Sequence, residues 1–180
     1  MKDAHKDVLS WNGVEWIVPA CNADQTLATA LTRSCMPIFA DLGKRIGDTR
    51  LNASLSAFGY GNHDASGAYP YWIQGNLRVS ALQQIDFLDR LRRDALPVSP
   101  THMQTVRAIL IVEKGDSYVL RAKTGWANSP DPDIGWLVGW AERGGNAYLF
   151  ALNIDIAERA HADARLKIAK AVLKDLGALP

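Results

Sequence analysis

Cysteine is scarce in this sequence, which has only Cys21 and Cys35 among 180 residues. The two lie far apart and form no Cys-x-x-Cys pair, and the four histidines show no ligand spacing, so we expect no metal site. A disulfide between the two cysteines is one alternative. The helical pattern around Cys35 instead favours two buried, unreactive thiols, and this is our prediction.

Long apolar runs and an excess of one charge are also absent. No run approaches the roughly 18 residues that a membrane-spanning helix needs. Lys and Arg number 20 against 19 Asp and Glu, so no basic surface for nucleic acid or membranes is expected. The polar residues 1–6 do not resemble a secretory signal peptide, and we expect none in the sequence as given. The composition, 48% hydrophobic and 22% charged, is typical of a globular domain, and we predict one domain over residues 1–180.

The apolar spacing changes its period along the chain. Residues from about 24 to 115 are predicted to be mainly helical, with Asp24 and Ser80 as helix caps and a long ordered loop over residues 59–76. From about 116 to 180 the pattern predicts an antiparallel three-strand meander, with a tight turn at Gly144-Gly145, and then a C-terminal helix. The predicted helices cover about 24–33, 37–46, 48–59, 81–93, 99–110 and 161–176, and the predicted strands cover 117–124, 135–142 and 147–153.

This order of elements predicts an α+β fold in which a helical lobe lies beside an antiparallel sheet. Trp136, Val138 and Trp140 alternate with Leu137 and Ala141, so both faces of the middle strand are apolar. Three such strands bury too little surface by themselves. The sheet is therefore expected to need more strands than the pattern reveals.

Three short motifs carry candidate chemistry. Lys123-Thr124-Gly125 ends a predicted strand, Tyr60-Gly61-Asn62 lies in the long loop, and Ser34-Cys35-Met36 lies between two helices. Each is weak alone, and an exposed lysine at a strand end is an ordinary alternative for the first. Lys-Thr-Gly lines the active site of serine β-lactamases and penicillin-binding proteins.

Together the three motifs resemble the class D (oxacillinase-type) serine β-lactamases of the penicillin-binding/transpeptidase-like superfamily. The flanking segments Tyr71-Trp72, Ala122 to Trp126 and Gly135 to Trp140 also resemble that family, and the likeness covers nearly the whole chain. The middle motif departs from the family's usual Ser-x-Val. The resemblance implies a transpeptidase-like fold, a β-lactam as the small-molecule partner, and a periplasmic or secreted location.

The resemblance also implies roles for the residues that bind the substrate. Lys123 would supply a point charge for the β-lactam carboxylate and Thr124 a hydroxyl donor, while Gly125 would leave room for the ligand. Arg165 matches the family's carboxylate-binding arginine, whose fork suits bidentate contact. An ordinary solvated helix residue is the alternative for Arg165.

Further roles follow for residues outside the Lys-Thr-Gly motif. Ser34 would relay a proton to the leaving nitrogen, although a helix cap is an equal alternative. The backbone N–H of Trp126 would contribute to the oxyanion hole. Trp72 matches a tryptophan that covers a carbamylated lysine, with a buried aromatic as the alternative. The remaining set is expected to shape the loop and not to catalyse: Tyr60, Gly61 and Asn62.

The family's nucleophile is missing from this sequence, which has no Ser-x-x-Lys and no Thr-x-x-Lys. We therefore expect an incomplete domain that lacks the N-terminal strands and the nucleophile helix, has no carbamylated lysine as cofactor, and is inactive. An unpaired sheet edge would then be a template for dimerisation. Two alternatives stay open: a β-lactam sensor domain that keeps its acyl adduct, and a non-catalytic remnant.

Overall fold

The computed structural model describes residues 3–128 and 131–180. The predictions that include residues 1, 2, 129 and 130 lie at these positions outside the described residues. Two compact units divide the chain, Met1–Ala53 and Ser54–Pro180. Helices and antiparallel sheets share the chain, which confirms the α+β prediction.

The first unit opens with a small sheet followed by helices. Its elements are β1 (Val8–Leu9), a 3₁₀ helix (Pro19–Cys21), β2 (Gln25–Thr26), α1 (Leu27–Arg33), α2 (Met36–Ile46) and the start of α3 (Asp48–Phe58). The strands β1 and β2 pair antiparallel. The prediction that Asp24 caps α1 was wrong, because the Asp24 carboxylate accepts from the Trp11 N–H. Thr26 and Thr29 instead form a reciprocal capping box, so α1 begins after Thr26.

A disulfide joins Cys21 to Cys35, and the prediction of two free thiols was wrong. The helical pattern on either side of Cys35 had weighed against a bond, and this inference was the error. Ser34 has φ 57° and ends α1, so Cys35 lies between two helices and immediately before α2. The two Cα atoms are 5.4 Å apart, within the usual range for a bonded pair. Both cysteines are buried in a cluster with Ala30 and Ile38.

The second unit is built on a four-stranded antiparallel sheet of order β3-β4-β5-β6. The strands are β3 (Ile111–Lys114), β4 (Tyr118–Ala127), β5 (Asp133–Arg143) and β6 (Asn146–Ile156), and the helices are α4 (Ala81–Arg92), α5 (Pro100–Ile109) and α6 (Arg159–Asp175). The predicted meander is β4 to β6. The short strand β3 was missed because it has four residues, an irregular register at Ile111 and Glu113, and no clear alternation.

Helix α6 packs on one face of this sheet. Its Leu173 lies in a cluster with Leu120 and Ala141, and its Ala169 contacts Ala122 and Leu137. The opposite face includes the fully buried Trp140.

The helical spacing predicts that Leu82, Ile85, Leu88 and Leu91 face inward, and that Leu166, Ala169, Val172, Leu173 and Leu176 share the inner side of the C-terminal helix. The structure contradicts this for four of them. Leu82 of α4 is 78% exposed, because it lies in the first turn, ahead of the buried Leu88 and Leu91. On α6 the buried side chains include Ala169 and Leu173, as predicted. Three others predicted to join them are exposed: Leu166, Val172 and Leu176.

No helix within residues 3–128 and 131–180 is long and apolar enough to cross a membrane.

Candidate active site

The Lys-Thr-Gly motif lies in the part of β4 that extends beyond its pairing with β3. Strand β3 pairs with β4 only from Val119 to Arg121, whereas β5 pairs with β4 along its whole length. The next residue of β4, Ala122, points its N–H away from β5 and donates to Leu110 O at 2.9 Å. Main-chain directions alternate along a strand, so the N–H groups of Thr124 and Trp126 point to this same side. No strand in the described ranges pairs with that edge of residues 123–127.

Lys123 is half-buried at this edge. Its Nζ donates to Thr124 O at 2.9 Å and lies 3.4 Å from Thr124 Oγ1, so the ammonium and the hydroxyl form one polar pair. Burial of the side chain, with the positive charge of Arg165 as the second cause, lowers the Lys123 pKa from 10.5 to about 8. A bound anion would raise this pKa again because it favours the charged form.

Arg165 is buried beneath the motif, so the alternative of a solvated helix residue was wrong. One of its terminal nitrogens, Nη1, donates to the main-chain carbonyls of Gly125 and Trp136, and its Nε donates to Ala162 O at 2.6 Å. Burial lowers the Arg165 pKa, and the nearby Asp163 carboxylate partly opposes this. The guanidinium therefore ties α6 to β4 and β5, and the carboxylate-binding role that the resemblance implies stays a prediction.

Gly125, which ends the motif, and Trp126, which follows it, both pair with residues of β5. A Cβ added at Gly125 would lie 3.1 Å from the Trp136 Cβ, so the close approach at this glycine is made by the neighbouring strand. The Trp126 side chain is exposed, and its indole Nε1 donates to Asp133 Oδ2 at 2.6 Å. Asp133 was missed at the sequence level because no motif marks it.

Asn62 joins the two ends of the long loop. Its N–H donates to Arg78 O at 2.9 Å, its Oδ1 accepts from the Arg78 N–H at 2.9 Å, and its Nδ2 donates to Asn76 O at 2.8 Å. Gly61 precedes it with φ +59°, and a Cβ there would lie 2.1 Å from Arg78 O. These contacts support the predicted loop-shaping role of both residues.

Tyr60 is anchored on α4. Its hydroxyl donates to Gln84 Oε1 at 2.8 Å, and its ring meets the Phe87 ring edge-on at a centroid distance of 4.9 Å. Burial raises the Tyr60 pKa, with the hydrogen bond to Gln84 acting in the opposite direction. A phenol that is harder to ionise is poorly suited to act as a base, which supports a shaping role.

Trp72 belongs to an aromatic group within the loop. It is half-buried and makes edge-on contacts with Tyr71 and Tyr69, at centroid distances of 4.9 and 5.6 Å. These contacts fit the alternative of an ordinary packed aromatic. The covering role that the resemblance implies stays a prediction.

Ser34 lies in the first unit. It ends α1 in the left-handed region, and its N–H donates to Leu31 O at 3.2 Å. Its backbone therefore caps the C-terminal end of α1, in agreement with the alternative of a helix cap. Cys35 follows directly, so the disulfide anchors the segment that carries the Ser34 hydroxyl. The relay role stays a prediction.

The second unit thus brings together Lys123, Thr124, Gly125, Trp126 and Arg165 around one strand end. In the part of the chain that the structure describes, no group of three or more His, Cys, Asp or Glu side chains could hold a metal ion. The assembled chemistry is that of an anion-binding edge: one ammonium, one hydroxyl, and main-chain N–H groups that point outward.

Comparison with known proteins gives the family. Residues 2–177 match the penicillin binding protein transpeptidase domain. The chain is 36% identical to β-lactamase OXA-48 of Klebsiella pneumoniae over all of its own length and 68% of the relative's. It is 38% identical to β-lactamase OXA-20 of Pseudomonas aeruginosa over 96% of its length and 64% of the relative's.

Solved structures agree with the sequence comparison. The class D β-lactamase YbXI from Nostoc superposes with a TM-score of 0.95 at 37% identity, over 99% of this chain and 76% of the other. The class D β-lactamase FUS-1 (OXA-85) from Fusobacterium nucleatum also gives 0.95, at 30% identity, over 100% of this chain and 75% of the other. These matches confirm the fold and the family that the three motifs predicted. The chain belongs to the class D serine β-lactamases, a branch of the penicillin binding protein transpeptidase family.

Proposed function

We propose that this 180-residue polypeptide binds a β-lactam through the open edge of β4 and does not hydrolyse it. The observation that carries the proposal is the polar pair of Lys123 and Thr124 beside outward-pointing main-chain N–H groups. The chain covers only about two thirds of the curated relatives' length, so the activity of a whole relative is not assumed for it.

The ligand's carboxylate would be held by Lys123 and Thr124. The ammonium supplies charge, and the Thr124 hydroxyl can donate once Lys123 turns from it to the anion. Arg165 adds positive potential from below but acts mainly as a positioning residue, because its Nη1 and Nε donors already hold main-chain carbonyls. The β-lactam carbonyl oxygen would accept from the Trp126 N–H, in the role of an oxyanion-hole donor.

Turnover requires groups that this polypeptide does not supply. Its sequence has no Ser-x-x-Lys, the motif that carries both the nucleophile and the general base in this family. Loss of a serine nucleophile costs on the order of a millionfold in turnover, even where binding groups remain. The relay role proposed for Ser34 belongs to the complete reaction and is not needed for binding.

Calorimetric titration with benzylpenicillin tests the binding step. We expect saturable binding that Lys123→Met weakens at least tenfold, while the matched Lys167→Met, on the exposed surface of α6, leaves it unchanged. Absence of saturable binding would favour the non-catalytic remnant and refute the proposal.

Two further measurements test the absence of chemistry. Nitrocefin should show no turnover above buffer, and mass spectrometry after incubation should show no covalent adduct. Turnover that Lys123→Met abolishes would refute the proposed inactivity. A persistent adduct would point instead to the sensor function.

The disulfide supports a periplasmic or secreted location. Such bonds form and persist in oxidising compartments and are rare in the cytosol. The pair Cys21 and Cys35 is buried, which also protects it from small reductants.

A further inference from the structure

Asp133, the first residue of β5, places a carboxylate beside the open end of β4. One of its oxygens, Oδ2, accepts from the indole Nε1 of Trp126 at 2.6 Å. Within residues 3–128 and 131–180, no lysine, arginine or histidine forms an ion pair with this carboxylate. The side chain is only half-buried, so its negative charge acts on whatever lies next to Trp126.

The strand register explains why Trp126 and Asp133 meet. Trp126 lies opposite Gly135, and Asp133 precedes Gly135 by two residues, so all three lie on one face of the sheet. Diagonal neighbours on a face are within reach of an aromatic side chain, and Gly135 places no side chain between them. Thr124, two residues before Trp126, lies on the same face. The hydroxyl, the indole and the carboxylate therefore follow one another along the end of β4.

A bound β-lactam would extend along this face in one direction, and the inference that follows rests on the proposed binding function. The ligand's carboxylate lies at Lys123 and Thr124, and its lactam carbonyl accepts from the Trp126 N–H. In a penicillin the acylamino group is attached to the carbon next to the lactam carbonyl, on the side away from the carboxylate. The acyl side chain would therefore pass the exposed Trp126 indole and come close to Asp133.

We propose that Asp133 makes the open edge of β4 selective for β-lactams whose acyl side chain carries an ammonium group, and disfavours those whose side chain carries a carboxylate. The Asp133 carboxylate attracts the first group and repels the second. Its hydrogen bond also fixes the Trp126 indole as an apolar surface for the aryl group of the side chain. Asp133 is thus a specificity-determining residue.

The size of the effect follows from Coulomb's law in a site that water reaches. At a separation of about 6 Å and a dielectric constant near that of water, one charge on the ligand changes the affinity about threefold. The change has opposite signs for an ammonium and a carboxylate, so the ratio of the two affinities changes about tenfold. Salt screens such an interaction, because the Debye length falls to about 3 Å at 1 M.

Three penicillins that differ at a single carbon test the proposal. Benzylpenicillin is neutral at the carbon next to the side-chain carbonyl, ampicillin has an amino group there, and carbenicillin has a carboxylate. Calorimetric titration of the whole chain at pH 6, where the amino group is protonated, gives three dissociation constants. We expect the wild type to bind ampicillin about tenfold more tightly than carbenicillin, with benzylpenicillin between them. The difference should disappear in 1 M NaCl.

Two substitutions separate the charge of Asp133 from its hydrogen bond. Asp133→Asn keeps an oxygen that can accept from the Trp126 indole and removes the charge, so ampicillin and carbenicillin should then bind equally. Asp133→Lys should reverse the preference about tenfold in favour of carbenicillin. Each value is divided by that of benzylpenicillin with the same variant, which removes any general effect on binding. Asp116→Asn, on the exposed turn between β3 and β4, is the matched control and should keep the wild-type preference.

The outcomes distinguish this inference from the binding function on which it rests. Absence of saturable benzylpenicillin binding by the wild type refutes both. Normal benzylpenicillin binding with equal affinities for ampicillin and carbenicillin refutes the role of Asp133 alone, and so does a preference that Asp133→Asn retains. If either Asp133 variant loses its native circular dichroism, the salt dependence of the wild-type preference decides, and a preference unchanged in 1 M NaCl refutes the proposal.

Discussion

The depressed pKa of Lys123 makes a direct prediction about stability. Replacing Lys123 with Met keeps the length of the side chain and removes the ammonium. We expect Lys123→Met to unfold less readily than the wild type at pH 7 and to bind benzylpenicillin far more weakly. A binding group that lowers stability is a common compromise at functional sites.

The magnitude follows from the pKa. A change from 10.5 to about 8 corresponds to about 3 kcal/mol against the charged form in the folded chain. Water reaches part of the side chain, and Met loses the bond of Nζ to Thr124 O, so we expect a gain of about 2 kcal/mol.

The same two pKa values determine whether the free energy of unfolding rises or falls with pH. The folded-state pKa lies below the unfolded one, so between pH 8 and 10.5 the unfolded chain binds more protons and wild-type stability rises with pH. Below pH 8 the free energy of unfolding of the wild type stays below that of Lys123→Met by the full amount. The stability difference between the two proteins should therefore shrink as the pH is raised through this window.

Urea unfolding of both proteins at pH 7, 8, 9 and 10 measures this difference, and subtraction removes the titration of all other groups. Lys123→Arg is the control, because arginine keeps its charge over this range and its stability should not converge with that of Lys123→Met. A difference between wild type and Lys123→Met that stays constant from pH 7 to 10 would refute the reasoning.

Three other substitutions test backbone and crosslink features, each by urea unfolding. Gly61→Ala should cost about 3 kcal/mol, because its Cβ would lie 2.1 Å from Arg78 O, whereas Gly13→Ala, which also has positive φ but open space, should cost about 1 kcal/mol. Ser34→Gly should add roughly 0.5–1 kcal/mol by relieving the left-handed conformation; a loss would show that the Ser34 side chain contributes more than its backbone costs. Replacing both Cys21 and Cys35 with serine should lower the free energy of unfolding by about 3 kcal/mol. A wild-type denaturation midpoint that does not change under reducing conditions would contradict this.

The strongly patterned elements were predictable from the sequence. The meander and its turn followed from alternation on both sides of Gly144-Gly145, and α4 from a capping signal at Ser80. These features are local, so a short window of residues contains most of the information that determines them. Strand β3 is equally real but lacks a pattern, because its pairing depends on residues of β4.

Features that depend on contacts between distant residues were harder to predict. The disulfide required knowing that the break between α1 and α2 brings Cys35 next to Cys21, 14 residues earlier in the sequence. The resemblance implied a substrate-binding role for Arg165. Its hydrogen bonds to the carbonyls of Gly125 and Trp136 could not be predicted, because they form only when α6 packs on the sheet. The motifs therefore supplied the candidate site residues, and the packing determined which of their atoms remain available.

The Cys21–Cys35 bond also restricts how this chain can change by mutation. Cys35 occupies the middle position of the Ser-Cys-Met motif, and its partner lies 14 residues earlier in the sequence. A single replacement at either position leaves the other as a lone thiol, which is open to mispairing with other thiols. Substitutions at positions 21 and 35 are therefore expected to be tolerated together and selected against singly, so a site variant at Cys35 should be built only in a background that also lacks Cys21.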